Sequence, residues 1–471
     1  MPLLHPDRLF PPEPRTRGLA RALYEAVRDA PIVSPHGHCD PRWFAEDTPF
    51  ADPARLFVTP DHYVLRMLYS QGERPERLGV ARRDGGPVET DPRAIWRRFA
   101  EGYHLFAGTP SRLWLDHAFS TLFGIEERLG PGNADALYDR IAAALREPGF
   151  RPRALYERFN IHALTTTDNA LAPLTHHAAI RASGWHGRIL TAYRPDAVTD
   201  PDAPGFAEGV RALGAMTGED TEVWSGYLAA HRRRRADFIA MGCTSTDHGH
   251  PTPRTLDLPP AEAAALFARC LSGAAEAAER EAFRAQMLTE FARMSLDDGL
   301  VMQLHCGSRR NHNARMLADV GPDAGFDIPG AVDYVEMLRP LLNAHGLDPR
   351  LTLVVFTLDE TTYARELAPL AGAYPALRLG APWWFHDSVE GMTRFRQQAT
   401  ETAGFFNTVG FTDDTRAFCS IPARHDVARR VDCAFLAGLV ADHRLDEAEA
   451  FEIAPMLAWT LARDAYKLGE V

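Results

Sequence analysis

The sequence predicts an α/β protein built as a (β/α)8 TIM-type barrel with a helical insertion after the first strand. Three observations carry that reading. Short runs rich in apolar or β-branched residues recur along the chain, longer helical stretches separate them, and several runs end in polar, chemically capable residues. Strand followed by helix, repeated, is the pattern of a closed parallel barrel, whose sites gather at the C-terminal strand ends. A doubly wound open sheet is the main rival, but no GxGxxG follows any of the strand runs.

Eight runs qualify as strands. In order they are "PIVSPHGH" (31–38), "IHALTTTD" (161–168), "RILTAYRP" (188–195), "ADFIAMGCTSTDHG" (236–249), "LVMQLHCG" (300–307), "LTLVVFTLD" (351–359), "LRLGAPWW" (377–384) and "GFFNTVGFTDD" (404–414). Between the fourth and fifth, "PPAEAAALFARCLSGAAEAAEREAFRAQMLTEFARMS" has apolar residues at helical spacing, with Asp257 just upstream as a candidate cap. "PGAVDYVEMLRPLLNAHG" opens with proline and closes with glycine, both apt at helix ends.

The interval between the first two strands is far longer than a usual βα connection. It contains amphipathic stretches such as "DPRAIWRRFAEGYHLFAGTP" and "NADALYDRIAAALREPG". The chain therefore divides into residues 1–39 (N-terminal segment and first strand), 40–158 (helical cap subdomain) and 159–471 (the rest of the barrel). A cap leaving the C-terminal end of a barrel strand sits beside any site there. Its segment "TPDHYVLRMLYSQG" (59–72) concentrates His62, Tyr63, Arg66 and Tyr69.

Composition narrows the function. At 45% hydrophobic and 24% charged, the 471-residue chain suits a soluble globular protein, and no run approaches a membrane span. The N-terminus lacks the signal-peptide pattern, which predicts a cytoplasmic protein. Six scattered cysteines without a CxxC predict reduced, mostly buried thiols. A net charge of -12 disfavours nucleic acid, and the basic run "HRRRRADF" reads as a solvated helix face. Neither a nucleic-acid nor a membrane partner is expected; a homo-oligomer is left open.

The strand ends supply the chemistry. His36 and His38, two residues apart, point the same way on a strand, and Gly37 between them permits close backbone approach. In a closed barrel the first and eighth strands are neighbours, so Asp413 or Asp414 at the end of the eighth can meet the two imidazoles. Two imidazoles and a carboxylate form an open site for zinc or a similar divalent ion. His305 ends the fifth strand as a third nitrogen ligand, a substrate-binding group or a core histidine. Arg194 and Arg416 at the third and eighth strand ends suit an anionic substrate, because a guanidinium grips a carboxylate through two parallel hydrogen bonds. Asp247 and His248, ending the fourth strand, are placed to orient these groups. Trp383 and Trp384 offer core packing or a ring face for a sugar.

Taken together, these motifs resemble the uronate (glucuronate) isomerases, a divergent branch of the amidohydrolase superfamily. The carrying segments are "HGHCDP", "DHYVLRMLYSQG", "AYRPD", "STDHG", "LHCGSRRNHN", "PWWF" and "TDDTRAF…ARHDVARR", spread over residues 36 to 430 in the family's order. The first motif departs from the family's HCHLSP at Gly37 and Cys39-Asp40, leaving both histidines intact. The last carries an extra residue, and the family's Asp-x-Arg spacing counted back from Arg416 selects Asp414.

The resemblance implies a distorted, amidohydrolase-like barrel that interconverts D-glucuronate with D-fructuronate and D-galacturonate with D-tagaturonate. A proton moves from C2 to C1 through a cis-enediol, and another moves between the oxygens. It implies one divalent ion, zinc or alternatively manganese, on His36, His38 and Asp414. Asp414 and Tyr63 then carry out proton transfer, while His62, Arg194, His305, Trp384 and Arg416 bind substrate. The rival readings are a metal-dependent hydrolase on the same barrel and a sugar-acid-binding protein without catalysis. The fourth strand has no lysine, which removes the usual carbamylated two-metal hydrolase.

Overall fold

A computed structural model describes residues 3–469 of the chain. Its strands are β1 (Ile32–Ser34), β2 (Ile161–Asn169), β3 (Ile189–Arg194), β4 (Ser245–His248), β5 (Val301–Cys306), β6 (Ser308–Arg309), β7 (Ile328–Pro329), β8 (Leu353–Thr357) and β9 (Leu377–Leu379). Seven of them form one sheet in the order β1-β2-β3-β4-β5-β8-β9, every neighbouring pair parallel. The short β6 and β7 pair antiparallel with each other and bracket a loop.

The sheet is curled. Val33, Ala163, Leu190, Val301, Val354 and Val409 meet in one buried cluster, although β1 and β9 are the ends of the sheet order. Alternation explains which residues enter it: Val354 and Phe356 of β8 belong to this inner cluster, and Leu353 and Val355 to the outer core beneath the helices. Both faces of β8 are apolar, as in a parallel sheet covered on each side. Tyr466, near the end of the chain, reaches inside and donates to Gln303 Oε1 at 2.8 Å.

The eighth expected strand is not a regular strand. Residues 404–414 contribute an isolated parallel bridge from Thr408 to Leu379, with Val409 N donating to Leu379 O at 3.1 Å. Positive φ at Gly410 (73°) and Asp414 (38°) ends the extended backbone that a ladder requires. The fourth expected strand is shorter than its run. "ADFIA" closes the helix Trp224–Ala240, and only Ser245–His248 is strand. On that helix Arg234 and Arg235 are buried: Arg235 clasps Asp298 at 2.6 and 2.8 Å, and Arg234 donates to Ala170 O. The basic run is therefore half structural and not simply a solvated face. Asp257 does not cap the helix Pro260–Leu271; it pairs with Arg293.

Between β1 and β2 the chain is helical, with no strand from 35 to 160. Asp-Pro and Thr-Pro steps start several of these helices, because proline suits the first turn and the preceding side chain caps it. Asp40, Asp52, Asp91 and Thr109 each accept a backbone N–H in this way. Their apolar faces share one cluster with the sheet, running from Trp96, Phe99 and Phe119 to Ile161, Leu164 and Ile189. The N-terminal helix Pro14–Val27 packs with Ile421–Ala441 and Glu447–Pro455 through Leu23, Leu436 and Ile453. All six cysteines are free and buried, as their spacing predicts. Among the described residues, no helix is long and apolar enough to cross a membrane.

Candidate active site

A cavity of about 790 Å³ opens at the C-terminal ends of the strands, and it collects every site residue expected from the sequence. His36, His38, His62, Tyr63, Arg194, His305, Trp384, Asp414 and Arg416 all line it.

Its floor is set by strand alternation. Val301, Gln303 and His305 lie on one side of β5, so the residue that ends the line enters the cavity. Asp247 ends the equivalent line on β4, fully buried between three cations or potential cations. It is 2.9 Å from His305 Nε2, 3.6 Å from His36 Nδ1 and 3.5 Å from Arg194 Nη1. Burial works against its charge, but these three neighbours hold its carboxyl well below the usual range. Both Asp247 oxygens lack an aligned hydrogen bond. Of the two residues expected to orient the site, only Asp247 does so. Its neighbour His248 points to the other side, against Phe291, where burial drives its pKa down to about 3.

The histidine pair faces a carboxylate. His36 Nε2 lies 3.3 Å and His38 Nε2 3.2 Å from Asp414 Oδ1. Gly37 lets the loop approach: a Cβ there would stand 3.3 Å from Thr415 O. Asp413 turns away, accepting from Ser34 Oγ at 3.0 Å and lying 3.0 Å from His425 Nε2. Of the two acidic candidates, Asp414 alone faces the imidazoles, on a left-handed backbone (φ 38°) of the kind held by surrounding structure at functional sites. Burial again opposes its charge, and His36 and His38 outweigh it, keeping the carboxyl well below its usual range.

This donor set fits a metal ion. The three ligand atoms lie within 4.8 Å of one another, and the buried Asp414 Oδ1 has no aligned hydrogen bond despite two close nitrogens. Two imidazoles and one carboxylate leave a tetrahedral ion a position for substrate. His305 does not join them; it turns to Asp247. A second group, Asp196, His248 and His250, also clusters. Asp196 there accepts from Arg194 Nε at 3.0 Å and from Gly249 N, and the guanidinium beside it repels a cation.

The helical segment between β1 and β2 supplies another wall. Asp61 starts the helix His62–Ser70 by accepting from Tyr63 N at 2.8 Å and Val64 N at 3.2 Å, which aims His62 and Tyr63 into the cavity. Burial and the Arg416 charge pull His62 down to about 4, so it is neutral at pH 7. Arg416 has no carboxylate within ion-pair distance among the described residues, whereas Arg194 is paired with Asp196 and Asp247. Both Trp383 and Trp384 line the cavity, and Trp383, the more deeply buried, is stacked on Phe356 at 4.1 Å and edge-on to His305.

Sequence reasoning missed four contributors. Asp387 and Arg424 stand behind and beside Tyr63, and the loop between β6 and β7 brings Asn311 and Asp323 over the cavity. Arg424 lies inside the quoted "ARHDVARR" and Asn311 inside "LHCGSRRNHN", whereas Asp387 falls two residues past "PWWF".

The comparisons agree with this geometry. Residues 15–463 match the family described as glucuronate isomerase. The uronate isomerase of Rhizobium meliloti is 64% identical over 466 residues, 99% of each chain. The crystal structure of glucuronate isomerase from Caulobacter crescentus superimposes with a TM-score of 0.98 at 57% identity, covering 100% of this chain and 98% of that one. The uronate isomerase structure from Thermotoga maritima has a TM-score of 0.91 at 27% identity, covering 98% and 99%. Matched by the family model over residues 15–463 and 64% identical to the Rhizobium meliloti relative across 99% of its length, the chain belongs to the glucuronate isomerase family.

Proposed function

We propose that the protein interconverts the aldose and ketose forms of hexuronates, D-glucuronate with D-fructuronate and D-galacturonate with D-tagaturonate. His36, His38 and Asp414 would hold one divalent ion, zinc by the character of these donors. The observation that carries this reading is the meeting of His36 and His38 with Asp414 at 3.2–3.3 Å in a cavity that also contains the unpaired Arg416. When bound, the ion supplies Lewis-acid polarisation and an anchor for substrate oxygens.

The chain's own residues divide the remaining work. Arg416 engages the C6 carboxylate through its guanidinium fork, and Arg194, already balanced by two carboxylates, binds nearby hydroxyls. Neutral His62 and His305 direct hydrogen bonds to the sugar, and Trp384 offers it a ring face. Asp414 takes the proton from C2 and returns it at C1, and Tyr63 serves the oxygens.

The fold reading extends in the same way. Residues 404–414 serve as the eighth stave of a distorted barrel, supported by the Thr408 bridge on one side. The bond from His38 N to Thr415 O at 3.0 Å supports it on the other. Residues 40–158 form the cap. Six reduced thiols accord with a cytoplasmic enzyme.

The test is incubation of the purified protein with D-glucuronate or D-galacturonate, following ketose formation with and without a chelator and measuring bound metal. Ketose that disappears on chelation is expected. No ketose from either sugar overturns the reading.

A further inference from the structure

Tyr63 is held in one orientation by two neighbours. Its hydroxyl donates to Asp387 Oδ1 at 2.7 Å and accepts from Phe385 N at 3.0 Å. A phenol oxygen has one proton and two lone pairs. With the proton committed to Asp387 and one lone pair to Phe385, the remaining lone pair is what Tyr63 offers the cavity it lines. In this arrangement Tyr63 accepts a hydrogen bond from substrate and donates none.

Asp387 is 2% exposed and does not line the cavity. Its second oxygen accepts from Arg424 Nη1 at 2.6 Å. Arg424 is itself fixed, 3.7 Å over the Trp114 ring and donating to Asp413 O at 3.2 Å. Phe385, whose N–H completes the arrangement, has a left-handed backbone (φ 71°), a strained conformation for a bulky residue and one that the surrounding structure must impose.

We propose, building on the isomerase reading above, that Tyr63 and Asp387 form one proton relay that carries the hydroxyl proton of the sugar from O2 to O1. The O2–H bond breaks as a new bond forms from that proton to the Tyr63 oxygen, while the proton Tyr63 already carried passes to Asp387 Oδ1. Asp414 removes the C2 proton, the C1–C2 double bond forms and the C1–O1 π bond opens. The relay then runs backward: Asp387 returns its proton to Tyr63, and Tyr63 delivers the other to O1. Protonation of C1 by Asp414 and closure of the C2–O2 double bond leave both relay residues as they began.

Burial supports this division of labour. It holds the Tyr63 hydroxyl well above the usual phenol range and the Asp387 carboxyl above the usual carboxylate range. Tyr63 alone does not become a base, whereas a pair that exchanges a proton across 2.7 Å leaves no phenolate. Asp387 touches no substrate atom and acts through Tyr63.

The experiment compares wild type, Asp387→Asn, Tyr63→Phe and the double variant on D-glucuronate. Asparagine keeps an acceptor for the Tyr63 hydroxyl but cannot take its proton. Asp387→Asn is expected to lower kcat at least about a hundredfold with KM within about threefold of wild type. The double variant should be no slower than the slower single one, because the two residues act as a unit. If Asp387→Asn keeps kcat within about threefold, or the two losses multiply, the relay is wrong while the isomerase reading stands. A wild-type chain that makes no ketose defeats the isomerase reading itself. Should Asp387→Asn not fold, wild-type kcat in mixed H2O and D2O decides. A curved dependence on deuterium fraction, from two protons moving together, is expected, and a straight line overturns the relay.

Discussion

His38 Nε2 and Asp414 Oδ1 stand 3.2 Å apart, one from the loop after β1 and the other from the irregular segment 404–414. Four residues tie this seam. Ser34 Oγ donates to Asp413, and His38 N donates to Thr415 O. The candidate metal donors are thus carried on two loops that hold each other. His38→Gln and Asp414→Asn are each expected to reduce bound zinc, measured by elemental analysis after equilibration, and to lower kcat by about 10²–10⁴. Full zinc content in both variants would move the ion elsewhere.

Arg416 is the guanidinium left unpaired among those expected to bind substrate. Removing it takes away a charge-assisted hydrogen bond made equally before and during reaction. Arg416→Met should therefore raise KM about tenfold to a hundredfold, equivalent to about 1.5–3 kcal/mol, with a much smaller change in kcat. Steady-state kinetics with D-glucuronate read this directly. A change confined to kcat would assign Arg416 to the chemistry instead.

Asp61 links a local rule to the site. It caps the helix that presents His62 and Tyr63, and burial raises its own pKa. Asp61→Ala is expected to cost about 1 kcal/mol of stability and to slow turnover, since the first helical turn loses its acceptor. Asp61→Asn keeps that acceptor and should restore both melting temperature and kcat toward wild type.

Acid stability has a source away from the cavity. His231 is completely buried beside the Tyr193 hydroxyl at 2.7 Å, and burial lowers its pKa to about 3 from an ordinary 6.5. The folded chain keeps this imidazole neutral, and the unfolded chain protonates it between those values. Its contribution is complete above pH 6.5 and is lost as pH falls through that window toward 3. His117, near 4, acts in the same sense. Urea unfolding at pH 7.5, 6.0 and 5.0 should show stability declining, with a shallower decline in His231→Gln. An unchanged slope would show that His231 is already charged in the fold.

Much of the site was legible because strand ends announce themselves. A β-branched run that stops at histidine, aspartate or arginine marks the mouth of a parallel barrel, and His36, Arg194 and His305 were found that way. "FFNTVGFT" reads as strand by composition, yet the segment forms only an isolated bridge. Gly410 and Asp414 break the ladder there through backbone angles that composition does not reveal. "ADFIA" closes a helix instead of opening a strand for a related reason, since a short apolar run does not distinguish the two. Asp387 and Arg424 stayed hidden because no local pattern reports a partner hundreds of positions away. Only the fold places either one beside Tyr63.

The seam between the first and last staves also sets when the enzyme becomes whole. A chain still emerging from the ribosome carries its paired imidazoles almost from the start but lacks the opposing acid until the final stretch is made. The terminal helices that clasp the first helix come later still. If the proposed ion binds here, its loading is therefore expected late in biogenesis, and a nascent or C-terminally clipped product would lack one of its three donors.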